Sequence, residues 1–328
     1  MKIFARKINL ALINASPQSE MVRAYWHSYH CIDDATVIDG KFQTHHYCNN
    51  RWCPVCGRIR TAKIINGYGS QLANIKDLSM LTLTIPNMSA FELPIAIKTM
   101  TAGFRSIIHN YKRRHKDNSM DGVRKIEVTY NEETKTYHPH FHILTSAESA
   151  QYIRDKWLQV FPDAVRWAQD IKAADKNSIK EIAKYFSKIF SKDKETGKIK
   201  MMPPQALNEI NIALKGVRTF QPFGKIKMVK DDVNEMELQD GIETDCSDGE
   251  YEFMTDVLTW VSTQTGEMVC DNIYETTRNK AAEDLAMALQ NTTDTPETEF
   301  YNTDAAISAI KKRKTPSPFK RKRFSLAC

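Results

Sequence analysis

Apolar and polar residues alternate most regularly between Val123 and Thr145, where two runs with a period of two flank a polar stretch. The pattern predicts strands over Val123–Tyr130 and Tyr137–Thr145, joined by a turn over Asn131–Thr136. Met80–Ile85 is another strand, ended by Pro86-Asn87. Ala164–Ile171 reads as a fourth, and Val217–Val229 as a last strand or hairpin. Helical spacing replaces alternation over Glu92–Arg114, through Ile95, Ile97, Met100, Phe104, Ile107 and Ile108. Further helices are predicted over Arg60–Ile75, Ala147–Phe161, Ser178–Ser191 and Pro204–Lys215, the last ended by Gly216. Strands and helices in this order, with hairpins and no βαβ series, imply an α+β fold: a central antiparallel β-sheet flanked by helices on one face, the other face free for chemistry.

Beyond residue 230 the regularity fades. Asp231–Asp256 reads as an acidic linker, Phe253–Val261 as one short strand and Tyr274–Leu289 as one helix, with disorder from about Asn291. Three segments follow: an N-terminal zinc-binding module with a basic helix (1–75), a central domain (76–230), and an acidic linker with a disordered, basic-tailed C-terminal region (231–328).

Charge sharpens this division. The net charge is +6; Lys311–Arg323 carries eight basic residues, and Asp231–Asp256 eleven acidic ones and no basic one. Removing both leaves 6 − 8 + 11 = +9 for the remainder, which suits a polyanionic partner. No apolar run reaches the roughly 18–20 residues of a membrane span. Arg6 and Lys7 interrupt the N-terminal apolar run, which argues against a signal peptide. A cytoplasmic location without membrane contact is expected, and there seven cysteines point to metal binding or free thiols rather than disulfides.

Cys53-Pro-Val-Cys56 is a C-x-x-C knuckle whose two thiolates can reach one Zn²⁺, and Cys48 and Cys31 can complete a structural tetrahedral site. His30, His45 and His46 compete for the outer places; a redox C-x-x-C would need a thioredoxin-like βαβ pattern, which is absent. Arg51, Arg58 and Arg60 beside the cluster, and Lys112-Arg113-Arg114 at a helix end, are candidate phosphate contacts.

His138, His140 and His142 alternate along one strand and so share a face, with Tyr137, Phe141 and Ile143 on the other. Histidine is scarce, nine in 328 residues with none after His142, so three on one face point to a metal site. Glu127 on the preceding strand opposes His138 or His140, depending on where the turn is centred. Two imidazoles and a carboxylate make an open site for Mn²⁺ or Mg²⁺, able to polarise a phosphoryl oxygen. His140 and His142 are two ligands; Glu127 is favoured over His138 as the third.

The helix Ser178–Ser191 offers a nucleophile, Tyr185, whose attack on a phosphodiester gives a covalent phosphotyrosine. Lys184 and Lys188 can stabilise the phosphate, and Glu181, one turn before Tyr185, can act as base towards water. On its own, a tyrosine on an amphipathic helix is more often a core residue; the histidine strand shifts that balance.

Together these segments resemble the HUH endonucleases, specifically the single-tyrosine initiators of rolling-circle plasmid replication. Met80-Leu-Thr-Leu-Thr-Ile-Pro-Asn87 resembles the family's first motif, His138-Pro-His-Phe-His142 the second and Glu181-Ile-Ala-Lys-Tyr185-Phe-Ser-Lys188 the third. Arg124–Thr129 and the four cysteines are similar to one branch, and the resemblance spans roughly Trp26 to Met228. It implies recognition of plasmid origin DNA and nicking of one strand at a single-stranded site. Tyr185 would become linked to the 5′ phosphate, leaving a 3′ hydroxyl to prime a polymerase. In this branch a glutamate at the position of Glu181 activates water to end the round. A host helicase and a DNA polymerase would be partners. An HUH-type transposase is the nearest alternative, although such relatives often carry two tyrosines where this helix has Tyr185 followed by Phe186. A non-catalytic, zinc-containing DNA-binding regulator explains the cysteines and the charge but not the Glu127–His140–His142–Tyr185 set.

Overall fold

The hairpin predicted between Val123 and Thr145 forms, and the central sheet is built on it. The computed structural model describes residues 1–115, 118–183, 190–192, 199–230, 232–233, 242–254, 259–266 and 268–269, all within one unit, Met1–Asn279. Its elements in chain order are α1 (Lys2–Ala15), α2 (Val22–Tyr29), β1 (Asp34–Ile38), β2 (Lys41–Thr44), α3 (Pro54–Ala73), β3 (Leu78–Thr84), α4 (Leu93–Arg114), β4 (Gly122–Asn131) and β5 (Thr136–Ser146). There follow α5 (Ala147–Val160), β6 (Ile171–Ala173), α6 (Lys176–Ala183), β7 (Phe190–Lys192), β8 (Ile199–Met201), α7 (Pro204–Ala213), β9 (Phe220–Phe223), β10 (Ile242–Glu243), β11 (Gly249–Met254) and β12 (Thr259–Ser262).

The central sheet has the order β6-β3-β5-β4-β9, every pairing antiparallel. Pairing of Asn131 with Thr136 leaves a four-residue turn, in which Asn131 Oδ1 accepts from the backbone N–H groups of Glu133 (3.0 Å) and Thr134 (3.2 Å). Lys135 takes the left-handed conformation that closes it, at φ 53°.

On one sheet face, Phe141 packs edge-on to Phe104 of α4 and Trp157 of α5, and the Arg124 guanidinium lies 4.5 Å from the Phe141 ring centre. On the other, Met80, Val123 and Leu144 pack with Ile64, Tyr68 and Leu72 of α3 and with Ile182 and Ala183 of α6. Helices therefore cover part of both faces rather than one. The fold class is as expected, an α+β protein with antiparallel sheets flanked by helices.

A second sheet, β10-β2-β1-β11-β12, departs from expectation. Part of the stretch read as an acidic linker returns to the N-terminal module, where β11 pairs with β1 from Asp34↔Glu252 to Val37↔Gly249. Tyr251 and Phe253 alternate inward, while Glu250 and Glu252 face solvent. Trp260 of β12 lies between Phe42 (5.2 Å) and Phe253 (4.9 Å), in the same core as all four clustered cysteines.

Other differences are local. Ala164–Ile171 is a loop with one 3₁₀ turn, Arg166–Ala168, and only Ile171–Ala173 pairs as a strand. Val217–Val229 keeps a strand over Phe220–Phe223 alone. Helix α6 starts with reciprocal bonds between Asp175 and Ser178, and the chain is already a strand at Phe190, so the helix stops short of Ser191. The predicted helix Tyr274–Leu289 and the basic tail lie outside the described residues. No helix among the described residues is long and apolar enough to cross a membrane. Trp260→Ala should destabilise the N-terminal sheet by about 3–5 kcal/mol, as large-to-small core changes do, measured by urea unfolding.

Candidate metal centres

The hairpin register places Glu127 opposite His140 and Lys125 opposite His142; on the other side Thr84 pairs with His140 and Thr82 with His142. All six share the imidazole face. Of the two registers open to the sequence, the hairpin adopts the one joining Glu127 to His140.

Both imidazoles aim Nε2 at one oxygen. His140 Nε2 and His142 Nε2 each lie 3.6 Å from Glu127 Oε2. Two ligands each about 2.1 Å from one ion stand roughly 3–4 Å apart, so this triad fits a single cation. The ring orientations are built in. His140 Nδ1 donates to the His138 carbonyl oxygen at 3.1 Å, leaving its Nε2 lone pair free, and His142 Nδ1 lies 3.3 Å from Thr82 Oγ1. Lys125 Nζ holds the second carboxylate oxygen, Glu127 Oε1, at 2.5 Å. Burial alone would raise the Glu127 pKa, but the nearby His140 and His142 imidazoles and the Lys125 ammonium outweigh it and hold the carboxyl well below its ordinary range. Among the described residues Glu127, His140 and His142 form one of two groups able to hold a metal ion.

His138 is outside that group; its ring faces that of His140 at 5.4 Å, and burial, then the neighbouring His140, lowers its pKa. Lys125 and Thr82, both in contact with the triad, were missed in the sequence. The available signal was their spacing of two residues from Glu127 and from Thr84, which puts them on the imidazole face.

The second group is Cys31, Cys48, Cys53 and Cys56, all buried. Sγ separations of 3.6 Å (Cys31–Cys56) and 3.7 Å (Cys48–Cys56) are near the roughly 3.8 Å expected across a tetrahedron with 2.3 Å metal–sulfur bonds, and far from the disulfide length of about 2.05 Å. Cys53 caps α3 and Cys56 sits in its first turn, where the helix dipole favours thiolates. The rival histidines turn elsewhere: His30 to Asp33, His45 to Thr36 and His46 to Asp34.

The candidate DNA contacts separate. Arg58 is exposed. Arg60 is 3% exposed and bonds Asn49 through its carbonyl (2.6 Å) and Oδ1 (3.0 Å), bracing the turn after Cys48; it is too buried to meet phosphates. Arg51 is half-buried and donates to the Val217 carbonyl and, at 3.3 Å, to Thr219 Oγ1. Lys112, Arg113 and Arg114 are exposed at the end of α4, which packs on the face opposite the imidazoles. Tyr185, Lys184 and Lys188 lie outside the described residues, as does the side chain of Glu181.

The fold and the two centres define an α+β protein with two residue groups that could each hold a metal ion, one of four thiols and one of two imidazoles and a carboxylate. A family model described as "Replication protein" matches residues 39–268, more than half of the chain, and the chain belongs to that family of replication proteins. The resemblance to plasmid replication initiators thus holds at the level of family. A "Protein rep" of Staphylococcus aureus is 32% identical over 178 residues, covering 48% of this chain and 76% of that protein. A "Protein rep" of Streptococcus pneumoniae serotype 2 is 31% identical over 156 residues, covering 42% of this chain and 47% of that protein. A third, from Lactiplantibacillus plantarum, is 25% identical over 240 residues, covering 62% of this chain and 72% of that protein. No solved structure matches. Mn²⁺ titration followed by electron paramagnetic resonance should show affinity at least about 10-fold weaker in Glu127→Ala and His142→Ala, with His138→Ala close to the unaltered protein.

Proposed function

We propose that the chain initiates plasmid rolling-circle replication by metal-dependent nicking and joining of one strand of origin DNA, single-stranded at the nick site. The observation that supports this most is the convergence of His140, His142 and Glu127 on the sheet face where Ile182 and Ala183 also pack. Tyr185 follows two residues later.

His140, His142 and Glu127 hold a divalent cation, Mn²⁺ or Mg²⁺, which supplies Lewis-acid polarisation of a phosphoryl oxygen. The Tyr185 oxygen attacks phosphorus; the new O–P bond forms as the bond to the 3′ oxygen breaks. The phenol gives up its proton and the 3′ oxygen leaves as a hydroxyl, which primes a host DNA polymerase behind a host helicase. Lys184 and Lys188 stabilise the phosphate charge, and Glu181 takes a proton from water when the round ends. Residues 76–230 form the nicking domain. The N-terminal module carries structural Zn²⁺ on Cys31, Cys48, Cys53 and Cys56, and docks DNA with Arg58. The exposed Lys112, Arg113 and Arg114 add sequence-independent affinity. The protein acts in the cytoplasm.

Single-stranded oligonucleotides from the chain's own replicon, incubated with the protein and Mn²⁺, should yield a covalent adduct on a denaturing gel. Tyr185→Phe should abolish it, and an adduct persisting in that variant would move the nucleophile to another residue. Glu181→Ala should keep nicking but impair hydrolytic termination. Zinc should be present at about one equivalent per chain, and Cys53→Ser should lose it.

A further inference from the structure

A buried ammonium touches the imidazole–carboxylate group without being one of its ligands. Lys125 is 5% exposed, and its Nζ lies 2.5 Å from Glu127 Oε1. Burying an ammonium is costly unless it is paired. Here the partner is the carboxylate whose other oxygen, Oε2, lies 3.6 Å from both imidazoles. The sheet fixes this placement. Lys125 pairs with His142 on β5 and with Phe220 on β9, and on its own strand it stands two residues from Val123 and from Glu127, on the same face as both. Val123 and Phe220 belong to the apolar layer that also holds Ile182 and Ala183 of α6. Lys125 therefore stands between the seat of α6 and the candidate metal centre.

The charges of the group decide what such an ammonium does. Imidazoles that ligate a metal are neutral, so the Glu127 carboxylate and the Lys125 ammonium leave the group neutral by itself. A divalent cation then adds its full double charge, where the carboxylate would have cancelled half of it had Lys125 not already done so. Cation and ammonium share the two oxygens of one carboxylate, and the side chains of both Lys125 and Glu127 are buried, so like charges repel there with little screening. A cation alone is thus opposed by Lys125. An anion beside the two is attracted by both, and a DNA phosphodiester carries the single negative charge that offsets their excess.

We propose that Lys125 couples the two ligands of this centre: it weakens a divalent cation bound alone and strengthens one bound beside a phosphodiester of single-stranded DNA. The proposal rests on the nicking reading for the identity of the anion. The coupling is reciprocal, so the cation raises the affinity for the phosphodiester by the same factor. Its test is binding, measured separately from chemistry. Full-length protein is titrated with Mn²⁺ under electron paramagnetic resonance, alone, with an excess of thymidylyl-thymidine (TpT), which has one phosphodiester, and with thymidine, which has none.

In the unaltered protein TpT should tighten Mn²⁺ binding at least about 5-fold, and thymidine should leave it unchanged. Lys125→Gln, which keeps a donor but no charge, should bind Mn²⁺ alone at least about 3-fold more tightly, and TpT should then change that affinity by less than about 2-fold. Lys125→Met, apolar and of similar length, should behave as Lys125→Gln does, and Lys125→Arg should keep the TpT effect. Weaker binding of Mn²⁺ alone in a folded neutral variant would overturn the proposal and leave Lys125 a residue that only orients Glu127. So would a TpT effect of full size in such a variant, an effect matched by thymidine, or no TpT effect in the unaltered protein. If the coupling follows the charge at Lys125 but origin oligonucleotides give no adduct, the proposal stands and the nicking reading fails. Normal adduct formation with no TpT effect on Mn²⁺ binding gives the reverse.

Discussion

The register of one hairpin decides which side chains meet on the imidazole face of the central sheet. A shift of one residue between β4 and β5 would bring Glu127 opposite Pro139 or Phe141, exchange the two faces of the strand, and leave the carboxylate against an aromatic core. Three features oppose that shift. The Asn131 side chain caps a turn of fixed length and Lys135 closes it. Outside the hairpin, Tyr137 exchanges backbone bonds with Met88 at 2.8 and 2.9 Å. Inside it, the buried Arg124 guanidinium lies against the Phe141 ring and donates to Gln221 of β9, so a slipped strand would strand a buried charge.

This also explains what was legible beforehand. The alternation of His138, His140 and His142 is a local property of period two, so their common face could be read from the sequence. The choice between two registers could not, because it depends on whether Asn131 caps a four-residue turn. Ala164–Ile171 resembled a strand because Ala164, Val165 and Trp167 are apolar. The Thr84 N–H that a strand there would have paired is taken by the Gln169 side chain, and no composition rule signals such a replacement. The acidic stretch concealed a similar case. Tyr251 and Phe253 carry a strand's inward alternation, but Glu250 and Glu252 alternate with them and mask it, and its partner β1 lies more than 200 residues earlier in the chain.

The arginines near the cysteines show the same limit in electrostatic form. A cluster of positive charge beside a candidate zinc site reads as a phosphate surface. Arg60, however, is spent on Asn49, which takes φ 55° directly after Cys48 and also bonds the backbone of Val233 at both its Nδ2 (3.0 Å) and Oδ1 (2.8 Å). The guanidinium shapes the loop that delivers a thiolate, and only Arg58 of the three stays on the surface.

Helix α3 joins the two centres. Its N-cap is Cys53 and its first turn carries Cys56, and its middle packs Ile64, Tyr68 and Leu72 onto Met80, Val123 and Leu144, the row next to His142 on the imidazole face. Thr61 on the same helix donates to the Ala183 carbonyl at 3.2 Å, and Ile182 lies in the same apolar layer. The chain leading to Tyr185 is therefore positioned by a helix whose start is tied to the cysteine centre. A metal there would act on the central sheet mechanically: by fixing where α3 begins, it would fix the surface on which α6 rests.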